Sequence, residues 1–126
     1  MQGNRSRDTR PEAAIRSALH RAGMRFRKHY RPLMGLRCEV DVAFPRQRVL
    51  LFVDGCFWHG CPQHGRVPST NNGYWSSKIG RNVARDRRND DLLAAEGWTV
   101  LRAWEHEPPR AVVERVRAAL LAAAVA

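Results

Sequence analysis

The sequence holds no apolar run long enough to cross a bilayer: its apolar tail, Leu120 to Ala126, falls far short of the ~20 residues a span requires. No signal-peptide pattern opens the chain, and no basic amphipathic stretch with a long apolar face marks a membrane-surface helix. Cysteine is scarce. Cys38, Cys56 and Cys61 are too few for a disulfide framework and are expected to be thiols or metal ligands in a reduced cytoplasm. Lysine is scarcer still, since only Lys28 and Lys78 interrupt a basic complement of 22 residues that is otherwise arginine. Internal repeats and long low-complexity segments are absent. At 126 residues the chain is expected to form one domain with one core and one site.

What the chain has in excess is positive charge. Twelve acidic residues against 22 basic ones leave a formal net charge of +10. Guanidinium groups make bidentate contacts to phosphates and base edges, so nucleic acid is the leading partner. Residues 1–8 read as a mobile basic arm. Thr9-Arg10-Pro11-Glu12 reads as a helix start, with Thr9 as N-cap and Glu12 completing a capping box; the helix should bury Ala14, Ile15, Ala18 and Leu19 and stop at Gly23. Strands are expected over Phe26 to Tyr30, Cys38 to Phe44, Val49 to Val53 and Trp98 to Trp104. Alternation in the second places Val40, Val42 and Phe44 on one face and Glu39, Asp41 and Ala43 on the other. Tyr74 to Glu96 has helical spacing, with Trp75, Ile79, Val83, Leu92 and Leu93 as apolar candidates and Arg81, Arg85, Arg87 and Arg88 as a solvated or phosphate-facing surface. A last helix opens at Pro108-Pro109 and covers the core with Val112, Val113, Val116 and Leu120. The order predicts an α/β or α+β sheet flanked by helices.

Chemistry is concentrated after the central strand, in Val49 to His64, VLLFVDGCFWHGCPQH. Cys56, Cys61 and His64 supply three nitrogen or sulfur ligands of the kind that suits tetrahedral Zn²⁺. The strands at 49–53 and 98–104 are joined by one long helix, a crossover that makes them parallel and brings His106 beside this loop as the favoured fourth ligand. His59 is the local alternative. Asp41 and Asp54 flank a hairpin turn and can bring two carboxylates to one sheet edge, as a magnesium-dependent nuclease requires. His59 is a plausible general base beside them. Salt bridges to the many arginines would account for Asp41 about as well, and the capping box accounts for Glu12.

The segments DGCFWHGCPQHG, YWSSKIGRNVARDRRND and GWTVLRAWEHE resemble the very-short-patch-repair (Vsr) type of endonuclease, and the match runs from about Arg7 to Glu107. The resemblance implies a fold similar to the type II restriction endonucleases, with a mixed sheet between helices, a structural Zn²⁺, and Mg²⁺-dependent nicking of duplex DNA on the 5′ side of the thymine in a T·G mismatch. It also implies a cytoplasmic, nucleoid-associated monomer, with mismatch-repair proteins as partners. By position, Asp41 resembles the aspartate that binds catalytic magnesium, Val53 a residue offering its backbone carbonyl, His59 the catalytic imidazole and Glu12 an acidic support on the first helix. Phe57, Trp58 and Trp75 match aromatics that wedge into the base stack; core packing is the competing role, chiefly for Trp75. Cys56, Cys61, His64 and His106 fall at or near zinc-ligand positions, and Arg81, Arg85 and Arg88 are expected on the DNA backbone.

Three departures from the family pattern stand out. Asp54 replaces a histidine before the GCFWH block, so a carboxylate serves as metal ligand or support where the pattern has an imidazole. The spacing from Cys61 to His64 is one residue longer, and the N-terminal arm is short, which predicts weaker DNA binding. Two other functions fit the same residues: a nuclease acting on sequence- or modification-specific DNA without a mismatch, and a zinc-stabilised DNA-binding module without catalysis.

Overall fold

Glycines in the left-handed region end the first two helices and set the chain's direction into the sheet. The computed structural model describes residues 10–36, 38–55 and 72–125, and the side chains of all of these except 72–76 and 125. Helix α1 spans Arg10–Arg21. It closes at Gly23 (φ 85°), where the Met24 N–H donates to the Leu19 carbonyl at 3.1 Å and the Gly23 N–H to that of His20 at 2.9 Å. Only glycine takes this backbone turn without a Cβ penalty. Strands β1 (Arg27–Tyr30), β2 (Val40–Phe44) and β3 (Val49–Asp54) follow, then helix α2 (Asn72–Ala95), strand β4 (Thr99–Trp104) and helix α3 (Pro109–Val125).

The four strands form one mixed sheet in the order β1-β2-β3-β4. Both hairpin pairs are antiparallel, and β3 and β4 run parallel in register from Val49↔Thr99 to Asp54↔Trp104, as the helical crossover predicts. Period-two alternation sorts the side chains into two cores. Val42, Phe44, Val49, Leu51 and Ala103 pack with Ile15 and Leu19 of α1 and Val112, Val113 and Val116 of α3. Ala43, Leu50 and Phe52 pack with Leu93 of α2 and with Trp98 on the opposite face. The result is three layers, with the sheet between α1 and α3 on one side and α2 on the other.

A clip at the far end fixes the parallel register. Arg48 Nη1 donates to the Glu96 carbonyl at 2.8 Å, and its guanidinium lies 4.9 Å from the Trp98 ring centroid. The Thr99 N–H donates to the Arg48 carbonyl at 2.8 Å, so β3 and β4 start level. Gly97 (φ 92°) completes the turn, and a Cβ there would sit 3.2 Å from Arg48 Nη1.

Several expected core positions differ. Ala14 is exposed, because the inner stripe of α1 is Glu12, Ile15 and Leu19. Leu92 is 50% exposed, because the inner stripe of α2 runs Ile79, Val83, Asp86, Asp90 and Leu93. Leu120 is only partly buried. Val40 joins the α2-side core with Ala43 rather than lying with Val42 and Phe44. Strand β2 begins at Val40, not Cys38, since the Cys38 N–H bonds the Leu36 carbonyl at 2.8 Å within the preceding turn. Strand β1 begins at Arg27, one residue after Phe26, whose ring stacks on His20 with centroids 4.6 Å apart. Among the described residues no helix is long and apolar enough to cross a membrane.

Candidate active site

The ladder between β2 and β3 runs from Phe44↔Val49 to Val42↔Leu51 and goes no further. Beyond that rung a side chain takes over: the Val53 N–H donates to Asp41 Oδ2 at 2.7 Å. On the other flank of Asp41, His29 of β1 has φ 54°, a left-handed conformation rare outside glycine. Irregularity on both sides of one residue marks a place where regular pairing yields to something else. Asp41 therefore sits in an open fork of the sheet.

Glu12 reaches this fork from α1. It is 3% exposed, hydrogen-bonds Asp41, and receives Arg16 Nη1 at 2.9 Å from one turn along the helix. Thr9, the expected N-cap of its capping box, lies outside the described residues. Burial pushes the Asp41 carboxyl up to about 8; the Val53 amide opposes this, while the negative charge of Glu12, a hydrogen bond with it and the charge of Asp54 add to it. The buried Asp41 carboxyl therefore favours its protonated form unless a cation balances its charge. Their oxygens suit a hard divalent ion, and Mg²⁺, which keeps several waters, needs only one or two carboxylates. Among the described residues no three His, Cys, Asp or Glu side chains converge to hold a metal on their own. The donor set fits Mg²⁺ as a two-carboxylate site.

Asp54, at the end of β3 and 6% exposed, is engaged elsewhere. Both of its oxygens accept from Arg102 Nη1, at 2.9 and 3.1 Å. Arg102 lies on β4, on the same sheet face, with its guanidinium 4.1 Å from the Phe52 ring centroid. Its other nitrogens bond Asp90 of α2 at 2.7–3.1 Å, and Asp86 stands 3.9 Å from Nη1. Burial alone would lower the Arg102 pKa, but the bonds to Asp90 and the charges of Asp54, Asp90 and Asp86 outweigh it and raise it. The structure thus brings Glu12, Asp41, Val53 and Asp54 to one end of the sheet and gives Asp54 to an arginine.

Cys56, Phe57, Trp58, His59, Cys61 and His64 lie outside the described residues, as does the side chain of Trp75. His106 is exposed just past β4. The parallel register puts this turn beside the point where β3 enters the loop, and the Glu105 N–H donates to the Asp54 carbonyl at 2.9 Å. Arg81, Arg85 and Arg88 are exposed on α2; Arg81 and Arg88 are two residues from its inner stripe, and Arg85 is beside Asp86, with Nη2 3.8 Å from Oδ1. Sequence reasoning missed Arg16 and Arg102. The signals available were an i, i+4 Glu–Arg pair on a short helix and a lone charge inside the apolar strand TVLRAW.

Residues 1–64 match the family described as DNA mismatch endonuclease Vsr. Over 109 residues the chain is 51% identical to the type II nicking enzyme V.NaeI of Lentzea aerocolonigenes, covering 85% of this chain and 66% of that one. It is 50% identical to the type II nicking enzyme V.XorIIP of Xanthomonas oryzae over 85% of this chain and 77% of the relative. It is 38% identical to the DNA mismatch endonuclease Vsr of Escherichia coli K12 over 83% and 66%. The chain thus spans about two thirds of V.NaeI and of the Escherichia coli enzyme.

Proposed function

Because the chain belongs to the Vsr family of DNA mismatch endonucleases, we propose that it is a Mg²⁺-dependent endonuclease that nicks one strand of duplex DNA on the 5′ side of the thymine in a T·G mismatch. The observation that carries this reading is the buried Asp41–Glu12 pair in the open fork between β2 and β3. Asp41 and Glu12 hold the ion, with the Val53 carbonyl as a further donor, in a fold of the restriction-endonuclease type. Bound Mg²⁺ supplies Lewis-acid stabilisation of the charge that builds on the phosphate. His59 moves the proton at the attacked phosphodiester, Asp54 supports the end of β3, and Arg81, Arg85 and Arg88 grip the DNA backbone. Phe57, Trp58 and Trp75 wedge into the base stack, where a mismatched step opens most easily.

A structural Zn²⁺ is held by Cys56, Cys61, His64 and His106, a nitrogen and sulfur set suited to that ion. Replacing His106 with alanine is expected to release the zinc, measured by elemental analysis of purified protein, whereas His59→Ala retains it. The opposite result would make His59 the fourth ligand.

A second reading, nicking of a specific sequence without a mismatch, is favoured by the two relatives at 50–51% identity, both type II nicking enzymes. End-labelled duplexes that differ only in T·G against T·A, incubated with Mg²⁺ or with EDTA, separate the readings. A Mg²⁺-dependent nick on the T·G duplex alone supports the mismatch enzyme. Equal nicking of both supports the sequence-specific one. Tight binding with no nick on any duplex would sink both and leave a DNA-binding module.

A further inference from the structure

Helix α2 carries two stripes of different chemistry. Ile79, Val83, Asp86, Asp90 and Leu93 recur at spacings of three and four and face the sheet; Arg81, Arg85 and Arg88 recur the same way and are exposed. At about 100° per residue, Arg88 stands roughly 200° around the axis from Asp86, so Arg81 and Arg88 lie nearly opposite the inner stripe, while Arg85 lies on its flank with Nη2 3.8 Å from Asp86 Oδ1. Fixing one stripe fixes the other.

The acids of the inner stripe meet one side chain of the sheet, Arg102. Arg102 takes Asp90 through Nε and Nη2 and Asp54 through Nη1, with Asp86 close by and Phe52 beneath its plane. A planar fork of donors fixes direction as well as distance, which a point charge does not. Leu93 packs in the core formed on this face, and Ile79 is buried nearer the start of the helix. Beside the latch a pocket of about 240 Å³, lined by Val83, Asp86, Arg87 and Trp104 among others, separates the middle of α2 from β4. Between the buried side chains of Ile79 and Leu93, the latch spans this space to β4.

We propose that Arg102 is a positioning residue whose Asp54–Arg102–Asp90 latch sets the rotation and axial position of α2, and thereby which phosphodiester of a duplex held by the outer arginines meets Asp41. This rests on the nuclease reading above. The connection is short: Arg102 ties the helix to the last residue of β3, and Val53, one residue earlier, is the amide bound by Asp41. A helix free to rotate or slide would still bind DNA through its arginines, but would present neighbouring bonds to the carboxylates.

The test uses the duplex that the wild-type protein nicks and resolves the products to single nucleotides on a denaturing gel. Asp90→Asn keeps an acceptor and removes the charge; Arg102→Lys keeps the charge and removes the fork. Both are milder than removal of the cation, and a single cooperative melting transition in each establishes that they fold. The expected result is DNA affinity like wild type, nicking slowed by about a hundredfold, the scale of a 1 Å misplacement, and new cuts at adjacent bonds. Arg102→Lys should scatter the cuts although charge is conserved, an effect that a purely stabilising ion pair would not have. A slower nick confined to the wild-type bond, a nick at the wild-type rate, or a loss in step with DNA affinity would each overturn the proposal. A wild-type protein that cuts no duplex would overturn the nuclease reading as well.

Discussion

Replacement of Asp41 by asparagine is expected to slow Mg²⁺-dependent nicking on the order of a thousandfold, about 4 kcal/mol of barrier, and to stabilise the metal-free protein at alkaline pH. The two effects have one cause. Asp41 is buried beside Glu12, and its carboxyl is pushed up to about 8. Above the ordinary carboxylate range and below about pH 8, the folded protein retains a proton that the unfolded chain has released. Stability from this group therefore falls as pH rises through that window, since the unfolded state binds fewer protons there. Asparagine removes the titration while its side-chain oxygen still accepts the Val53 N–H. Melting curves of wild type and Asp41→Asn at pH 5 and pH 8, without metal, give the measurement. The wild type should lose melting temperature between the two and the variant should lose less, and added Mg²⁺ should restore only the wild type. Identical pH dependence in both proteins, or full nicking activity in the variant, would remove Asp41 from the site.

The second large effect belongs to Arg102→Met. Methionine approximates the length of the arginine stem but takes the guanidinium from Asp54 and Asp90, while Asp86 keeps Arg85 Nη2 at 3.8 Å. Breaking a buried ion pair on one side costs about 3–5 kcal/mol, because the remaining charge stays in a poorly solvated place. Arg102 has 21% of its side chain exposed and Asp90 32%, which admits some water and favours the lower end of that range. Denaturant unfolding of wild type and variant would read the difference as a shift in midpoint at constant slope. A cost below about 1 kcal/mol would show that the network behaves as an ordinary surface pair.

The parts of the fold that follow from local rules were legible in the sequence. Gly23 and Gly97 end their helices, β3 reads as a buried apolar run, and a long helix between β3 and β4 makes them parallel. The misreadings share a physical origin. On α1 and α2 the inward stripe was sought among apolar residues, so Ala14 and Leu92 were assigned to the core. The actual stripes carry Glu12, Asp86 and Asp90, acids that face inward because Asp41 and Arg102 meet them from distant strands. Helical periodicity gives the face of a residue, but only the partner across the sheet shows whether a charge can lie on it. Glu12 illustrates the limit: a capping box accounts for it within one turn, while its burial depends on a residue 29 positions away. Val40 was misplaced for a related reason, since strict alternation fails where β2 leaves the ladder. Asp41 and Asp54 were paired from the hairpin spacing, and Glu12 and Val53 joined them through the family resemblance; the four lie at one end of the sheet, with Asp54 bound by Arg102.

The fork between β2 and β3 behaves as a zipper stopped by one tooth. The amide that would have formed the next rung is held by the Asp41 carboxylate at 2.7 Å, so the group nominated for chemistry is also a piece of the sheet's own fastening. Such a residue answers to two tolerances at once. A longer acid would keep the charge but spread the strands, and a shorter polar group would let them close; either way the gap that admits a phosphate changes width. Variation at this position is limited by the geometry of the backbone as tightly as by the reaction, and the opening itself cannot be inherited without the aspartate that props it.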